Sequence, residues 1–349
     1  MRLFSTEQVS KYHPDKYADQ ISDAILDACL QADENSHVAC ETLVKDDVIV
    51  LAGEITTAAT IDYAEIARNV AKKLGYPVNR IETFIKTQSP EIAAGVGSGK
   101  DQGAGDQGIM YGYACNDTDS GLPFGFDLAN RIIAALEHDV ETNPYTILQG
   151  DAKCQVTVDL DAPADMSSVQ KILVSVCHTP QRGQKRIQAF INHILDTLGV
   201  PASVERIINP AGSWTIGGPS ADAGLTGRKI VCDQYGGYCA VGGGAFSGKD
   251  PSKVDRSGAY MARKIARALQ LAHGLKWCEV QLAYAIGRAE PMSVIVNSDQ
   301  AAEINEKLTK LVISEYDLTP AGIINTLDLL HVNYEKIAEG CHYRKEGGV

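Results

Sequence analysis

The stretch Gly242-Gly243-Gly244-Ala245-Phe246-Ser247-Gly248-Lys249-Asp250-Pro251-Ser252-Lys253-Val254-Asp255 sets clustered glycines beside two lysines and an acid. Glycines let backbone N–H groups approach an anion closely, and the lysines add fixed positive charge, which suits a polyphosphate. From Gly243 to Lys249 the spacing nears that of a P-loop. However, Asp250 stands where Ser or Thr would hold magnesium, and no buried strand precedes the loop. The expectation is a polyphosphate loop of another kind, weighed against a glycine-rich turn with solvated lysines. His13-Pro14-Asp15-Lys16 opens an apolar-periodic segment. Unpaired N–H groups at a helix start favour an anion, so Asp15 suits magnesium, Lys16 a phosphate and His13 a leaving oxygen. The plainer alternative is that Asp15 complements the helix dipole and Lys16 faces water.

Two glutamates stand where strand alternation pairs them with apolar residues: Glu41 with Ala39 and Leu43, Glu54 with Val50 and Ala52. A carboxylate on an apolar face needs a cation or ammonium partner unless it reaches water at an edge. Along Asp151-Ala152-Lys153-Cys154-Gln155, a period of two groups Asp151, Lys153 and Gln155 on one polar face. Asp222 followed by Gly224-Leu225-Thr226-Gly227-Arg228-Lys229 forms a second basic step. Arg263, Lys264 and Arg267 lie opposite Met261, Ile265 and Leu269 and read as a solvated face. Trp214 and Trp277 read as packing residues, although Trp214 borders a glycine turn and could stack on a base. No Ser-His-Asp order, zinc spacing or dinucleotide fingerprint stands out; the one G-x-G-x-x-G, Gly103 to Gly108, lacks its strand and acid.

The elements that must position these residues repeat in kind. Pro14 to Ala32 reads as a helix, then strands His37–Val44 and Val48–Thr57, then a helix Ile61–Leu74. A similar order follows in a helix Asp127–Glu141, strands Asp151–Leu160 and Val169–His178, and a helix Arg182–Leu198. It returns in a helix Lys253–His273, strands Cys278–Ile286 and Ser293–Asn297, and a helix Ala301–Ser314. Three such units predict an α+β protein of three similar subdomains, each a sheet with helices on one face. Strand-to-strand steps this short argue against a doubly wound parallel sheet, whose strands need helical crossovers. Of 32 glycines, 7 lie between Gly95 and Gly112 and 11 between Gly212 and Gly248, which marks two functional loops. The first reads as a lid or a linker.

The 349 residues carry 32 Lys and Arg against 44 Asp and Glu, a net charge of −12 that argues against nucleic-acid binding. Hydrophobic residues at 44% with no long uncharged run predict a chain without membrane association. The N-terminus has no apolar signal core, and nine cysteines without a C-x-x-C pair read as buried thiols of a cytoplasmic protein. The residues alone support an enzyme acting on a polyphosphate with a divalent metal.

His13-Pro14-Asp15-Lys16 with Ala18-Asp19-Gln20-Ile21-Ser22-Asp23, Ala39-Cys40-Glu41-Thr42, Gly53-Glu54-Ile55-Thr56-Thr57, Gly103-Ala104-Gly105-Asp106-Gln107-Gly108 and the 242–253 loop together resemble the S-adenosylmethionine synthetase family. The resemblance implies three α+β domains related by a pseudo-threefold: 1–94, a glycine-rich active-site loop at 95–112, 113–217 and 218–349, with interleaving strands. It implies transfer of the adenosyl group of ATP to methionine, giving S-adenosylmethionine, phosphate and diphosphate, with Mg2+ and K+. Carried over by position, His13 meets ATP at the leaving oxygen, and Asp151, Ala152, Lys153, Ser213, Trp214, Asp222, Arg228, Lys229, Ala245 and Lys249 contact ATP. His13, Lys153, Arg228 and Lys249 form the catalytic set. Glu54, Gln88, Asp222 and Lys253 bind methionine, Asp15 and Asp255 hold magnesium, and Glu41 holds potassium. The resemblance also implies a homodimer or homotetramer with the site between subunits. Three features depart from the family pattern. Lys11-Tyr12 stands in place of Glu-Gly before His13, Gly212-Ser213-Trp214 in place of Gly-Arg-Phe, and the lid between Val96 and Gln102 is short.

Overall fold

Apolar residues recurring every three or four positions wind the chain into α1 (Pro14–Ala32), with His13 as N-cap and Pro14 in the first turn. In the computed structural model, which describes residues 1–88, 103–180 and 183–344, α1 is not a surface helix. Ile21, Ile25 and Leu26 have no exposure, and neither do Lys16, Asp19, Gln20 and Asp23. Polar groups buried this way must find partners inside the protein. Gln20 donates to the backbone oxygens of Lys11 and Lys16, whereas Lys16, Asp19 and Asp23 each reach a segment more than two hundred residues away.

Numbered along the chain, strands β4 (Arg80–Lys86), β3 (Val48–Thr56), β2 (His37–Lys45) and β9 (Gly224–Leu225) form one sheet in that order. The second sheet is β1 (Leu3–Val9), β6 (Leu148–Asp159), β7 (Val169–His178) and β8 (Glu205–Ile208). The third is β11 (Ser293–Ser298), β10 (Trp277–Tyr284) and β5 (Gly108–Cys115). The first two are mixed, because β3–β4 and β7–β8 pair in parallel. One long helix backs each sheet: α1 against β2, α3 (Phe124–Thr142) against β6, and α6 (Val254–His273) against β5 and β10. The shorter helices are α2 (Tyr63–Leu74), α4 (Gln184–Thr197), α5 (Ile230–Asp233), α7 (Ala302–Glu315), α8 (Pro320–Leu327) and α9 (Tyr334–Ile337). The protein is thus α+β, built of three sheet-and-helix units. Strands cross between the units, since the N-terminal β1 completes the second sheet and the late β9 edges the first.

The packing resolves two readings left open by the sequence and corrects a third. Burial alternates along β2, but Val38, Cys40, Thr42 and Val44 face the core, so Glu41 and Leu43 point outward. Glu54 is likewise exposed, on the outward face of β3. Both faces of this hairpin are apolar, so alternation alone could not say which was inner. The supposed solvated face of α6 is also wrong for Arg263, which is 6% exposed and donates to the backbone oxygens of Tyr113, Ser120 and Gly121. Arg267 donates to Asp119 O at 2.7 Å, so the two arginines clamp the turn after β5. All nine cysteines are buried and unpaired, and among the described residues no helix is long and apolar enough to cross a membrane.

Asp23 on α1 and Arg256 on α6 join the first unit to the third. Both are fully buried, with Nη1–Oδ1 at 2.8 Å and Nη2–Oδ2 at 2.5 Å. Removing one partner of such a pair leaves a desolvated charge, so Asp23→Ala should lose roughly 3–5 kcal/mol of stability. Denaturant unfolding of the variant beside the wild type measures this; an unchanged midpoint would refute it.

Candidate active site

The N-terminal end of α1 holds the first group of side chains. His13 Nδ1 accepts the backbone N–H of Asp15 at 3.1 Å, so a neutral ring carries its proton on Nε2 and is a donor there. The ring stays neutral because burial, then the positive charges of Lys229, Lys153 and Arg228, push its pKa down to about 3. Asp15 Oδ2 pairs with Lys229 Nζ at 2.6 Å, while Oδ1 accepts Leu225 N–H at 3.0 Å and lies 3.7 Å from Arg228 Nε. Burial raises the carboxyl's pKa, but these partners outweigh it and hold Asp15 below the usual carboxylate range.

Beside this group β6 departs from regular alternation. Its register against β7 shifts between Leu148 and Ala152, which turns Asp151 inward while Lys153 stays exposed. Asp151 therefore does not share a solvated face with Lys153, as alternation predicted. Its Oδ2 accepts Gly218 N–H at 2.7 Å, and its Oδ1 is buried with no hydrogen bond. Burial pushes Asp151 up to about 6, against the pull of Gly218 N–H and Lys153. The segment between β8 and β9 closes this side. Trp214 N–H donates to His178 Nε2 at 3.2 Å, and the indole N–H to Ile216 O at 2.6 Å. Ser213 is exposed and lies 3.5 Å from the same imidazole nitrogen, and Asp222 is exposed nearby, its charge opposing that of Asp151.

A second group gathers around the 242–249 loop and the start of α6. No strand precedes this loop, as the sequence indicated. Lys249 pairs with Asp255, and Lys253 pairs with Asp250 at 2.5 Å. Glu54, Gln88 and Lys253 line one cavity of about 320 Å3 with His37, Ala39, Lys86 and Thr87. Glu41 projects from the outward face of β2 without joining either group. The expected lid falls mostly on residues 89–102, outside the described residues.

The sequence reading missed how α1 binds these groups together. Lys16 contacts no solvent; it pairs with Asp233 at 2.6 Å and Asp19 at 3.0 Å, which corrects both the phosphate-binding and the solvent-facing readings. Its pKa is raised, because the two carboxylates outweigh burial. The i,i+3 partner Asp19 was visible in the sequence; Asp233, in α5, was not. The departures before His13 are also accommodated. Lys11 pairs with Glu141 and lies 3.7 Å from Glu339, and its backbone N–H donates to Glu137 at 2.6 Å. The Tyr12 ring lies against Gly150, where any Cβ would come 2.6 Å from it.

Among the described residues no three His, Cys, Asp or Glu converge as a metal cage. Single carboxylates such as Asp15 and Asp255 offer hard oxygens that fit magnesium shared with substrate phosphates. With Lys153, Arg228, Lys229 and Lys249 close by, the arrangement suits a polyphosphate substrate.

Family models of S-adenosylmethionine synthetase match the chain along most of its length. The N-terminal domain matches residues 1–97, the central domain 101–214 and the C-terminal domain 216–348. An S-adenosylmethionine synthase of Brachyspira hyodysenteriae is 43% identical over 369 residues, covering 98% of this chain and 93% of that protein. One of Salinibacter ruber is 44% identical over 358 residues, with the same coverage of 98% and 93%.

Asp151 supplies a pH test. Its folded-state pKa of about 6 lies above the unfolded value near ~3.9, so between those values the native state holds a proton the unfolded state has lost. Stability falls as pH rises through that window, and the loss persists above it. Asp151→Asn, which keeps the acceptor for Gly218 N–H, should therefore gain more stability over the wild type at pH 8 than at pH 4. Thermal unfolding of the ligand-free proteins at both values decides this; an equal gain at both would refute it.

Proposed function

We infer the mechanism from one premise: the chain belongs to the S-adenosylmethionine synthetase family. It is a methionine adenosyltransferase, converting ATP, methionine and water to S-adenosylmethionine, phosphate and diphosphate. The methionine sulfur attacks the ribose 5′ carbon in line, the whole triphosphate leaves, and water then cleaves it. No covalent enzyme intermediate is needed, so the protein must align the two substrates and stabilise charge growing on the triphosphate. The observation that carries this reading is a neutral, buried His13 ringed by Lys153, Arg228 and Lys229. Such a ring donates its Nε2–H to the leaving oxygen without competing for the charge the basic residues attract.

In this reading Lys249 joins that set from the glycine loop, and Lys229 leaves Asp15 for the triphosphate. Asp151, Ala152, Ser213, Trp214, Asp222 and Ala245 complete the ATP contacts, with the Trp214 ring serving adenine. The cavity shared by Glu54, Gln88 and Lys253 takes methionine, Glu54 pairing its ammonium group, and Asp222 touches both substrates. Asp15 and Asp255 would hold magnesium, which would neutralise charge on the triphosphate when bound, and Glu41 would hold potassium.

A homodimer is the smallest working unit, with a dimer of dimers as the larger form and the site between subunits. Supporting this, the outward face of the first sheet leaves Leu43 41% and Phe84 62% exposed beside Glu41 and Glu54. Nine buried, unpaired thiols fit a cytoplasmic enzyme.

Incubation with ATP, methionine, magnesium and potassium, quantifying S-adenosylmethionine, phosphate and diphosphate together, should give all three in equal amounts. Phosphate without S-adenosylmethionine would indicate a hydrolase instead. Lys249→Ala should lower turnover roughly 100-fold, the scale of removing one donor to a developing anion, with little change in unfolding midpoint. Ordinary turnover in that variant would remove Lys249 from the catalytic set.

A further inference from the structure

Asp15, Asp19, Asp23 and Asp27 recur every fourth residue along α1 and so lie on one stripe of the helix. Each accepts backbone N–H groups from a distant segment. Asp15 takes Leu225 N–H at 3.0 Å, Asp19 takes Gly227 N–H at 2.8 Å, and Asp23 takes Gly248 N–H at 2.7 Å. Asp27 takes those of Tyr334 and Glu335 at 2.9 and 2.8 Å. The middle two anchors carry the site's basic loops, since Gly227 precedes Arg228 and Gly248 precedes Lys249. Both glycines have positive φ, +76° and +79°, so each anchored peptide bond has a specific turn to hold. The loops also meet: a Cβ on Gly227 would come within 2.4 Å of the Ala245 Cβ. Arg256, held by Asp23, donates in turn to Lys249 O at 3.0 Å, which fixes the second loop from both sides.

Resting on the transferase reading above, we propose that Asp19 is a positioning residue of the reaction, setting Arg228 and the contact between the two basic loops through the Gly227 N–H. The residue touches no substrate, being fully buried, with Oδ2 3.0 Å from Lys16 Nζ and Oδ1 on Gly227. Lys16 has a second carboxylate in Asp233, so neutralising Asp19 leaves a balanced Lys16–Asp233 pair. This separates the acceptor role of Asp19 from its charge.

The test compares the wild type, Asp19→Asn and Asp19→Ala in kcat, in KM for each substrate, in unfolding midpoint, and in binding of inorganic tripolyphosphate by calorimetry. Asn still offers an Oδ1 to Gly227, while its Nδ2, which cannot accept from Lys16, leaves that ammonium to Asp233, so Asp19→Asn should stay within about threefold of the wild type in kcat and tripolyphosphate affinity. Asp19→Ala should lose at least tenfold in kcat and in tripolyphosphate affinity while the methionine KM stays within twofold. Wild-type kcat and tripolyphosphate binding in Asp19→Ala would overturn the proposal, as would an Asn variant as impaired as the Ala variant. Should Asp19→Ala fail to fold, Asp19→Ser, which fills more of the space but falls short of Gly227, replaces it with the same expectation. If the wild type binds tripolyphosphate but forms no product, the transferase reading fails and the calorimetric comparison still decides the role of Asp19. A wild type that does not bind tripolyphosphate overturns both.

Discussion

A helix that carries a carboxylate every fourth residue and is buried along that stripe can exist only if each carboxylate is compensated inside the protein. That constraint on α1 governs the rest of the molecule. The cheapest compensation for a buried carboxylate is a set of backbone N–H donors plus one cation, since N–H groups bring partial charge without a desolvated counter-ion. The segments that supply those donors are β9 with the loop after it, the loop at 242–249 and the start of α9. The chain's loops are therefore held by its core rather than resting on it. Loops fixed this way can present lysines and arginines to a ligand without first being ordered by it.

The same arrangement explains the sign of the site. Within α1 the carboxylates face inward and are balanced by Lys16, Arg256 and backbone. At its N-terminal end, Lys153, Arg228 and Lys229 gather around His13, with Asp15 paired to Lys229 and close to Arg228. The excess is positive at one place in a chain whose net charge is −12. Burial first, and then local excess of that kind, holds His13 neutral and leaves it a donor, whereas a protonated imidazole would add repulsion among the cations already there. Asp151 lies on the far side as a carboxylate with one oxygen unbonded, so burial makes its charged form costly until a donor arrives.

Much of this was legible in the sequence, and what was not has a common cause. The span Pro14–Ala32 and the strand Val169–His178 match the structure to the residue, because caps and alternation are local signals. The strands β1, β4, β5, β8 and β9 passed unread. Gly224–Leu225 is too short to alternate, and Leu3–Val9 carries polar residues that are covered only once β6 pairs with it. Lys16, Arg263 and Asp151 were misread for the same kind of reason. Their partners are Asp233, a turn at 120–121 and a register shift in β6, none of which any local window contains. The family motifs point to candidate site residues, but they do not show that Asp19 and Asp23, inside the same motif, hold the loops.

The pair Lys11-Tyr12 shows how far a change beside the site can be absorbed. Lys11 reverses the charge that the family pattern carries there, yet it enters a pocket already lined by Glu141 and Glu339, with Glu137 on its backbone N–H. Burial still raises Glu137 to about 7, so a positive charge at position 11 relieves that cluster where a negative one would strain it. Tyr12 fits because residue 150 has no side chain, and its carbonyl is held by the Tyr76 hydroxyl. Both changes are thus compensated by residues of α3 and β6, by Tyr76 just after α2 and by the segment after α9. The change still borders the site, because the Tyr76 ring that holds the Tyr12 carbonyl also packs against Gly218, whose N–H donates to Asp151.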